Sequence, residues 1–275
     1  MKIRGERECR SCGVRWSYYE TGSIECPACE SLQSVGVNDR TVHTDTPVTL
    51  DLSAYRARFG DAPDILPDEG VNELKSTLRK YIRKRGFIRG GELAPLDATY
   101  LAAQELLEAI DCYHRLRDPT DRDREYLLNL LAGADDGDRP DAAQVPDSLR
   151  EARGMAAVHA VNEYRSDTLV FLDELASSER ASHDHDSTDD AETVSDAATT
   201  ISVMGDDAAA RIDAARTVLE RLRDRSKRVD ALTGAVTPSD ADALTEAADA
   251  IGEYVRTGDR SALDHARKQL VGDAE

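Results

Sequence analysis

Four cysteines near the start of the chain have the spacing of metal ligands. Cys9 and Cys12 form one Cys-x₂-Cys pair, and Cys26 and Cys29 form a second pair after a 13-residue spacer. Each pair can fold as a turn that points both sulfurs at one centre, and four thiolates complete the closed tetrahedral shell of a structural Zn²⁺ site. We therefore predict a zinc ion bound by these four cysteines, with no open position for catalysis.

The same cysteines could form disulfides if the protein were exported. The first ten residues contain no apolar stretch of the kind that a secretory signal requires. We therefore expect a cytoplasmic protein, in which thiols stay reduced and are free to bind a metal. The fifth cysteine, Cys112, stands alone in a helical stretch, and we interpret it as a small buried residue without a role in the site.

The residues around the two pairs favour a small β ribbon. Val14, Trp16 and Tyr18 alternate with other side chains, which is the period-two pattern of a strand, and Ser34–Val37 indicates a further strand. Gly13 directly follows a cysteine pair and can adopt the left-handed conformation that often closes such a turn. About 40 residues cannot bury a self-sufficient core. Metal binding, worth on the order of 10–16 kcal/mol in small zinc modules, would supply the missing stability.

The cysteine array and its strands resemble the zinc ribbon at the start of transcription factor TFIIB, over about residues 1–40. The whole chain is similar to an uncharacterised family of halophilic archaea, the TFIIB-type zinc ribbon-containing proteins. The resemblance implies that Cys9, Cys12, Cys26 and Cys29 bind zinc. The spacer is short for such a ribbon and no paired cyclin-like repeats follow it, so general transcription-factor activity is not implied.

The cysteine pattern also resembles the iron site of rubredoxins, including the short-spacer form found in rubrerythrins. The shared features are Cys-x₂-Cys-Gly at residues 9–13 and Cys-Pro-x-Cys at residues 26–29. Rubrerythrins combine that site with helices that carry two Glu-x-x-His motifs, because a di-iron centre needs both side chains on one helix face. This chain has no such motif, and Glu30 stands where glycine is expected. The alternative to zinc is an iron ion bound by these four cysteines, in a protein that acts as an electron carrier.

The charge composition identifies no partner by itself. Asp and Glu outnumber Lys and Arg by 54 to 35, which gives a net charge of −19. The sequence has 29 Arg but only 6 Lys, and 34 Asp against 20 Glu. This Asp-rich, Lys-poor balance is typical of adaptation to high salt, where net charge keeps proteins soluble. In molar salt charges are screened within about 3 Å, so recognition of nucleic acid must rely on close contacts.

One segment between Val71 and Leu93 is basic against this acidic background. The segment contains seven basic residues and only two acidic ones. An apolar stripe at helical spacing predicts an amphipathic helix with a cationic face. The candidate contacts for nucleic acid or an acidic partner are Lys80, Arg83, Lys84, Arg85 and Arg89. The alternative is that these cations offset the helix dipole or pair with acidic helices of the same chain.

The remaining sequence predicts helices. Two long stretches, from about 149 to 176 and from about 212 to 229, have apolar residues at alternating steps of three and four, the seam of helix bundles. We predict a mainly α protein in which a small N-terminal β zinc ribbon is followed by an α-helical bundle with long antiparallel helices. The predicted parts are a ribbon at 1–40, a linker at 41–66, a helical domain at 67–181, an acidic flexible break at 182–190 and a C-terminal helical segment at 191–275.

These features favour a binding function over catalysis. The sequence has no phosphate-binding glycine loop, nucleophile elbow or dinucleotide fingerprint, so we expect no enzyme activity. We predict a zinc-ribbon adaptor for a protein partner or nucleic acid in transcription or RNA-linked work, with Arg15, Trp16, Tyr18 and Tyr19 as its contact surface. The alternative for the three aromatic residues is that they dock the ribbon onto its own helices.

A second alternative is a helical interaction scaffold, in which the seams pair with another copy of the chain and the zinc ribbon only caps the fold. The two functions differ in the surface that must be free, which is the ribbon and the basic helix for an adaptor and the seams for a scaffold. No apolar run approaches the roughly 18 residues of a membrane span, so we expect no membrane partner.

Overall fold

The computed structural model describes residues 1–59, 68–185 and 207–271. The N-terminal part is a small β structure, in which strands β1 to β5 span Lys2–Ile3, Glu6–Cys9, Arg15–Ser17, Ser34–Gly36 and Thr41–Val42. β2 is the central strand of a three-stranded antiparallel sheet, between β3 and β4. β1 pairs separately with β5, also antiparallel.

The strand predicted to run through Tyr18 ends one residue earlier, at Ser17. The chain turns into the short helix α1, Tyr18–Thr21, and the Tyr18 amide donates to the Gly5 carbonyl oxygen at 2.7 Å. Gly22 ends this helix in the left-handed conformation, with φ of 63°, and its amide donates back to the Tyr18 carbonyl oxygen. Because glycine adopts that conformation at little cost, the strand stops here although the alternating sequence pattern continues.

Beyond the ribbon, the described chain is helical apart from one hairpin. Helices α2 to α9 span Ser53–Phe59, Asp68–Lys84, Ala98–Arg115, Asp121–Gly133, Arg150–His185, Asp207–Ala231, Pro238–Thr257 and Arg260–Leu270, with a 3₁₀ turn at Ala142–Gln144. The hairpin strands β6 and β7 span Ile88–Arg89 and Glu92–Leu93. None of these helices is both long and apolar enough to cross a membrane. The predicted fold class, mainly α with a small N-terminal β part and a bundle of long helices, is confirmed.

Local capping residues set several of the helix starts. Thr120 and Asp123 form a capping box at the start of α5. Thr237 caps α8, with Pro238 in its first turn, and Asp259 caps α9. Each of these side chains accepts a hydrogen bond from an amide that has no partner within the helix, which stabilises the first turn.

Helix α6 lies at the centre of the bundle and packs against α4, α7 and α8. The residues of the predicted seams, such as Tyr164 on α6 and Leu219 and Leu222 on α7, are buried together with apolar residues of α8 in one core. A second core lies between α3, α4 and α5, around Leu78 and Leu106. The seams therefore hold this chain together from within.

The segment predicted as a linker, residues 41–66, packs on the helical body as far as it is described. Leu52 and Phe59 are completely buried in the second core, and the Leu52 amide donates to the Asp135 carboxylate at 3.1 Å. Residues 60–67 lie outside the described residues. So does most of the predicted break at 182–190, although α6 extends to His185.

A buried ionic cluster joins α4, α5, α6 and α8. Glu105 is completely buried, and its carboxylate accepts hydrogen bonds from Tyr126, from Arg139 at 2.8 Å and from Arg153 at 3.0 Å. Arg153, itself 4% exposed, also donates to both carboxylate oxygens of Asp242, at 2.9 and 2.8 Å. Burial and the charge of Glu105 raise the pKa of Tyr126 far above its ordinary value, so the phenol remains a hydrogen-bond donor.

Replacing Arg153 by methionine is expected to destabilise the protein by roughly 3–5 kcal/mol, because Glu105 and Asp242 would lose their main hydrogen-bond and ion-pair partner. The measurement is urea-induced unfolding followed by far-UV circular dichroism. Arg150 is exposed on the same helix and provides the matched control Arg150→Met, which should change stability by less than about 0.5 kcal/mol. Equal stability of the two variants would contradict the structural role of this cluster.

Candidate metal centre

Two turns of nearly identical geometry carry the four cysteines. In each turn, the amide of the first cysteine donates to the carbonyl oxygen five residues later, and the amide four residues later donates back to the carbonyl oxygen of that cysteine. The two distances are both 2.9 Å in the turn that starts at Cys9, and 3.0 and 2.9 Å in the turn that starts at Cys26. The fifth residue of each turn, Gly13 or Glu30, has a positive φ, of 76° and 57° respectively. The two turns are therefore equivalent.

The turns face each other, so that the four sulfurs form one compact cluster in which all Sγ atoms lie within 4.8 Å of one another. The Cys12 Sγ is 3.5 Å from the Cys26 Sγ and 3.4 Å from the Cys29 Sγ, and the Cys9 Sγ is 3.6 Å from the Cys29 Sγ. Four sulfurs bound tetrahedrally to a zinc-sized ion are about 3.8 Å apart. All are free thiols. The donor set and its spacing therefore fit a tetrahedral thiolate site, and these four cysteines could hold a metal ion.

Backbone amides inside the turns stabilise negative charge on the two buried cysteines. Burial alone would raise the pKa of Cys9, but hydrogen bonds from two amides of its own turn and from the side chains of Cys12 and Cys29 together outweigh it and lower the pKa to about 6. The pKa of Cys26 is lowered by the same combination. The Ser31 amide lowers the pKa of Cys29, but the neighbouring sulfur of Cys12 and burial outweigh it and raise the pKa to about 12. All four sulfurs can be thiolates together only beside a cation, so metal binding must release protons.

The ribbon has a very small apolar interior of its own. It consists of Trp16, which is 7% exposed, packed against Cys9 and Cys26 with Val14 beside them. The Trp16 indole Nε1–H donates to the Ser23 carbonyl oxygen at 3.0 Å. Trp16 therefore lies inside the ribbon and not on its predicted contact surface, because its ring is the largest apolar group available to cover the two buried sulfurs.

Arg15 and Tyr18 lie at the surface of the ribbon. Arg15 is exposed and forms an ion pair with Glu8 on the neighbouring strand at 2.7 Å. Tyr18 is half-buried, and its ring meets His43 edge to face, with 6.4 Å between the ring centroids. Of the four residues predicted as the contact surface of the ribbon, these two remain accessible to a partner.

Tyr19 docks the ribbon on the segment that leads to the helical body. Its hydroxyl lies 2.5 Å from the Thr41 hydroxyl, and its ring packs on His43 with a centroid distance of 4.7 Å. A Cβ at Gly5 or Gly90 would lie 1.9 or 2.9 Å from the Tyr19 ring, so only glycine fits at Gly5 without a shift of that ring. Tyr19 is therefore engaged within the chain, although with the segment before the helices and not with a helix.

Two of the five cations predicted as contacts hold the fold together. Arg85, with 19% of its side chain exposed, donates to both carboxylate oxygens of the buried Asp45 at 3.0 Å and also to Asp97. Arg89 donates to Asp45 at 2.9 Å from the β6–β7 hairpin. These guanidinium groups neutralise a buried carboxylate. Arg85 is therefore not part of a free surface, whereas the side chain of Arg89 is 49% exposed and can still contact a partner.

The other three predicted cations are exposed at the end of α3. Lys80, Arg83 and Lys84 form no ion pair with any described residue, and the only hydrogen bond found for their side chains there runs from Arg83 Nε to the Arg79 carbonyl oxygen. We call these three residues the α3 cluster.

A second group of cations on the ribbon was not predicted from the sequence. Lys2, Arg4, Arg7 and Arg40 line one cleft together with Tyr18. The pairing of β1 with β5 and of β2 with β4 brings the two ends of the ribbon together. Four basic residues scattered over 39 positions do not form a recognisable motif, so only the strand pairing could reveal this cleft.

The conformation of Glu30 gives a test of the paired turns. A side chain with positive φ costs about 1 kcal/mol relative to glycine, and metal binding and folding of such a ribbon are coupled. We expect Glu30→Gly to bind metal about fivefold more tightly than Glu30→Ala, since both variants remove the carboxylate and differ only in the Cβ. The measurement is competition with a chromophoric chelator.

Gly13→Ala is the matching variant in the first turn, and it should weaken metal binding by a similar factor. A Cβ at Gly13 would meet no atom within 4 Å, so the loss would arise from the backbone alone. Equal affinities of Glu30→Gly and Glu30→Ala would contradict the equivalence of the turns.

Metal affinity should fall as the pH falls, and more steeply below pH 6. The Cys9 thiol, with a pKa of about 6, is ionised above that pH and must give up a proton to bind metal below it. Cys29, with a pKa of about 12, must release its proton on metal binding at every pH between 5 and 8. The slope of log affinity against pH counts released protons, so it should be larger by about 0.7 between pH 5 and 6 than between pH 7 and 8. Chelator competition, corrected for protonation of the chelator, measures it; a constant slope would contradict this order of ionisation.

Comparison with known proteins identifies a family but no activity. A family model described as a family of unknown function, DUF7117, matches residues 1–208 and 183–270. No curated protein and no solved structure matches the chain. The match agrees with the predicted membership of an uncharacterised family, while the TFIIB-type ribbon, the halophilic origin and the identity of the metal stay predictions. The chain belongs to this family of unknown function, DUF7117.

Proposed function

We propose that the protein is a non-enzymatic adaptor in transcription- or RNA-linked work, whose Zn²⁺-bound ribbon and basic helix contact a protein partner or nucleic acid. The observation that carries this proposal is the closed cluster of four cysteine sulfurs. Four thiolates fill a tetrahedral shell and leave no position for a substrate or a reactive water. The metal then serves to fold the ribbon, and the ribbon serves to present a surface.

We propose that the ion is zinc. Thiolate ligands in a tetrahedral S₄ arrangement select zinc or iron. A rubrerythrin-like iron protein would need a second metal cluster, built from carboxylates and histidines in its helices. The four cysteines are the one group with metal-ligand geometry in the described part of the chain. A simple rubredoxin-like electron carrier is then the iron alternative.

The attachment of the ribbon to the helical body supports recognition at a fixed geometry. β1 pairs with β5, and Tyr19 and His43 fill the junction. The seam residues that a scaffold would use to bind a second copy, such as Leu219 and Leu222, are buried inside the chain. This burial favours binding through the ribbon and α3 over pairing of the helical seams.

The α3 cluster is the second part of the proposed surface. The protein has a net charge of −19, and cations elsewhere, such as Arg85 and Arg153, are paired with carboxylates of the same chain. Neighbouring cations that have no such partner are available to phosphate groups or to an acidic protein.

The test is capture of partners from the native cells. The tagged full-length protein is crosslinked in vivo with ultraviolet light and purified, and the attached RNA and proteins are identified. We expect the wild type to recover RNA or proteins that act on RNA or in transcription. The triple variant Lys80→Glu, Arg83→Glu and Lys84→Glu should reduce this recovery to background, because it reverses the charge of the α3 cluster.

The matched control reverses three exposed cations elsewhere, Arg117→Glu, Arg150→Glu and Lys268→Glu, and should leave recovery unchanged. Trp16 is the only tryptophan of the chain, so its fluorescence reports whether the ribbon is folded in each variant. Equal recovery from both triple variants would contradict the role of α3. Iron in the metal analysis, with a visible iron–thiolate absorption band, would select the electron carrier instead.

A further inference from the structure

A cleft of about 450 Å³ on the ribbon is lined by four basic residues and by no acidic residue. Its walls come from β1 and the following loop, from β2, from α1 and from the segments around β4. The residues that line it are Lys2, Ile3, Arg4, Arg7, Tyr18, Ile24, Gly36 and Arg40. The cleft is therefore a concave, positively charged site, and the charge composition of the chain alone would not have predicted it.

The three arginines of this cleft have no carboxylate partner among the described residues. Arg40 is exposed and forms neither an ion pair nor a side-chain hydrogen bond there. Arg4 donates only to the Gly36 carbonyl oxygen, at 3.4 Å. Arg7 donates to the hydroxyl and the carbonyl oxygen of Ser34, at 3.0 and 3.2 Å, which orients its guanidinium without neutralising it. Lys2 differs, because it pairs with a glutamate of α6 at 2.7 Å.

Unpaired arginines that converge on one cleft require an explanation in a protein with a net charge of −19. Cations held close together repel one another, so an anion that makes close contacts with several of them relieves that repulsion. Arginine presents its donors as a planar fork that matches the oxygens of a phosphate group. The charge and shape of the cleft therefore fit a ligand with several negative charges.

The cleft also contains an aromatic ring and an exposed apolar side chain. Tyr18 lines it and is half-buried, and Ile24 is 48% exposed at its rim. A nucleotide combines a charged phosphate with a flat base, and single-stranded nucleic acid is bound where a cationic groove runs beside an aromatic ring on which a base stacks. An acidic peptide would satisfy the arginines but offers no flat group for Tyr18.

We propose that this cleft binds single-stranded nucleic acid, with Arg4, Arg7 and Arg40 contacting successive phosphates and Tyr18 stacking on a base. The proposal rests on the proposed function, which it deepens by naming the ligand class and the residues of the ribbon surface. The α3 cluster is a different surface and is not part of this site.

The test is fluorescence anisotropy with a labelled RNA of eight uridines, a DNA of eight thymidines and a peptide of eight glutamates. The neutralising variant Arg4→Gln with Arg40→Gln leaves Arg7 in place, because Arg7 holds Ser34. For single strands the slope of log affinity against log salt is about 0.7 per phosphate contact, so two lost contacts should reduce it by about 1.4. With equal affinities at 1 M salt as the reference, the same relation predicts about 25-fold weaker binding than for the wild type at 0.1 M salt.

The ring is tested separately. Tyr18→Ala should weaken binding of the oligonucleotide at least about fivefold, the lower end of the range for base stacking on an aromatic side chain, whereas Tyr18→Phe should retain it. The matched control is Arg117→Gln, an exposed cation without an ion pair among the described residues in the loop after α4, which should change neither affinity nor slope. Trp16 fluorescence and metal content verify that the ribbon of each variant is folded.

Binding of the oligonucleotide with these losses supports the cleft, and the RNA and DNA arms show which nucleic acid it prefers. An unchanged salt slope in Arg4→Gln with Arg40→Gln, no effect of Tyr18→Ala, or tighter binding of the glutamate peptide would each overturn it. If capture from cells depends on the α3 cluster while the cleft variants behave like the wild type, the proposed function stands and this inference fails. If neither surface matters, both fail.

Discussion

The ribbon depends on the convergence of four sulfur atoms, because its other interactions are too few to fold it. Its interior is one tryptophan packed against two cysteines, with Val14 beside them. Two equivalent turns bring the sulfurs to within 3.4 to 3.6 Å for the closest pairs, and their amides stabilise negative charge on the two buried ones. The four thiols of such a cluster can all lose their protons only when a cation is bound between them.

The helical body is stable for different reasons and fixes the ribbon in place. Two apolar cores and a buried cluster around Glu105 hold its helices together. The pairing of β1 with β5 and the contact of Tyr19 with His43 join the ribbon to the segment that enters this body. The ribbon is therefore joined to the helical body by direct contacts as well as by the chain.

Some arginines act inside the protein. Arg153 neutralises Glu105 and Asp242, and Arg85 neutralises Asp45, each from a largely buried position. With a net charge of −19, the chain has carboxylates in excess. Cations without such partners, in the α3 cluster and in the ribbon cleft, are thus distinguished by their surroundings and not by their number.

The sequence by itself determined the features that depend on near neighbours. The two Cys-x₂-Cys pairs, the capped helix starts and the apolar seams of α6 and α7 are local patterns, since a turn, a cap or a helix face is set by residues a few positions apart. Only the tertiary structure decided which side chains are free. Trp16 is buried because two sulfurs need a cover, Arg85 is engaged because Asp45 is buried 40 positions away, and Arg4 and Arg40 share a cleft because β1 pairs with β5. Burial and long-range pairing depend on how distant segments meet, and no local spacing encodes that.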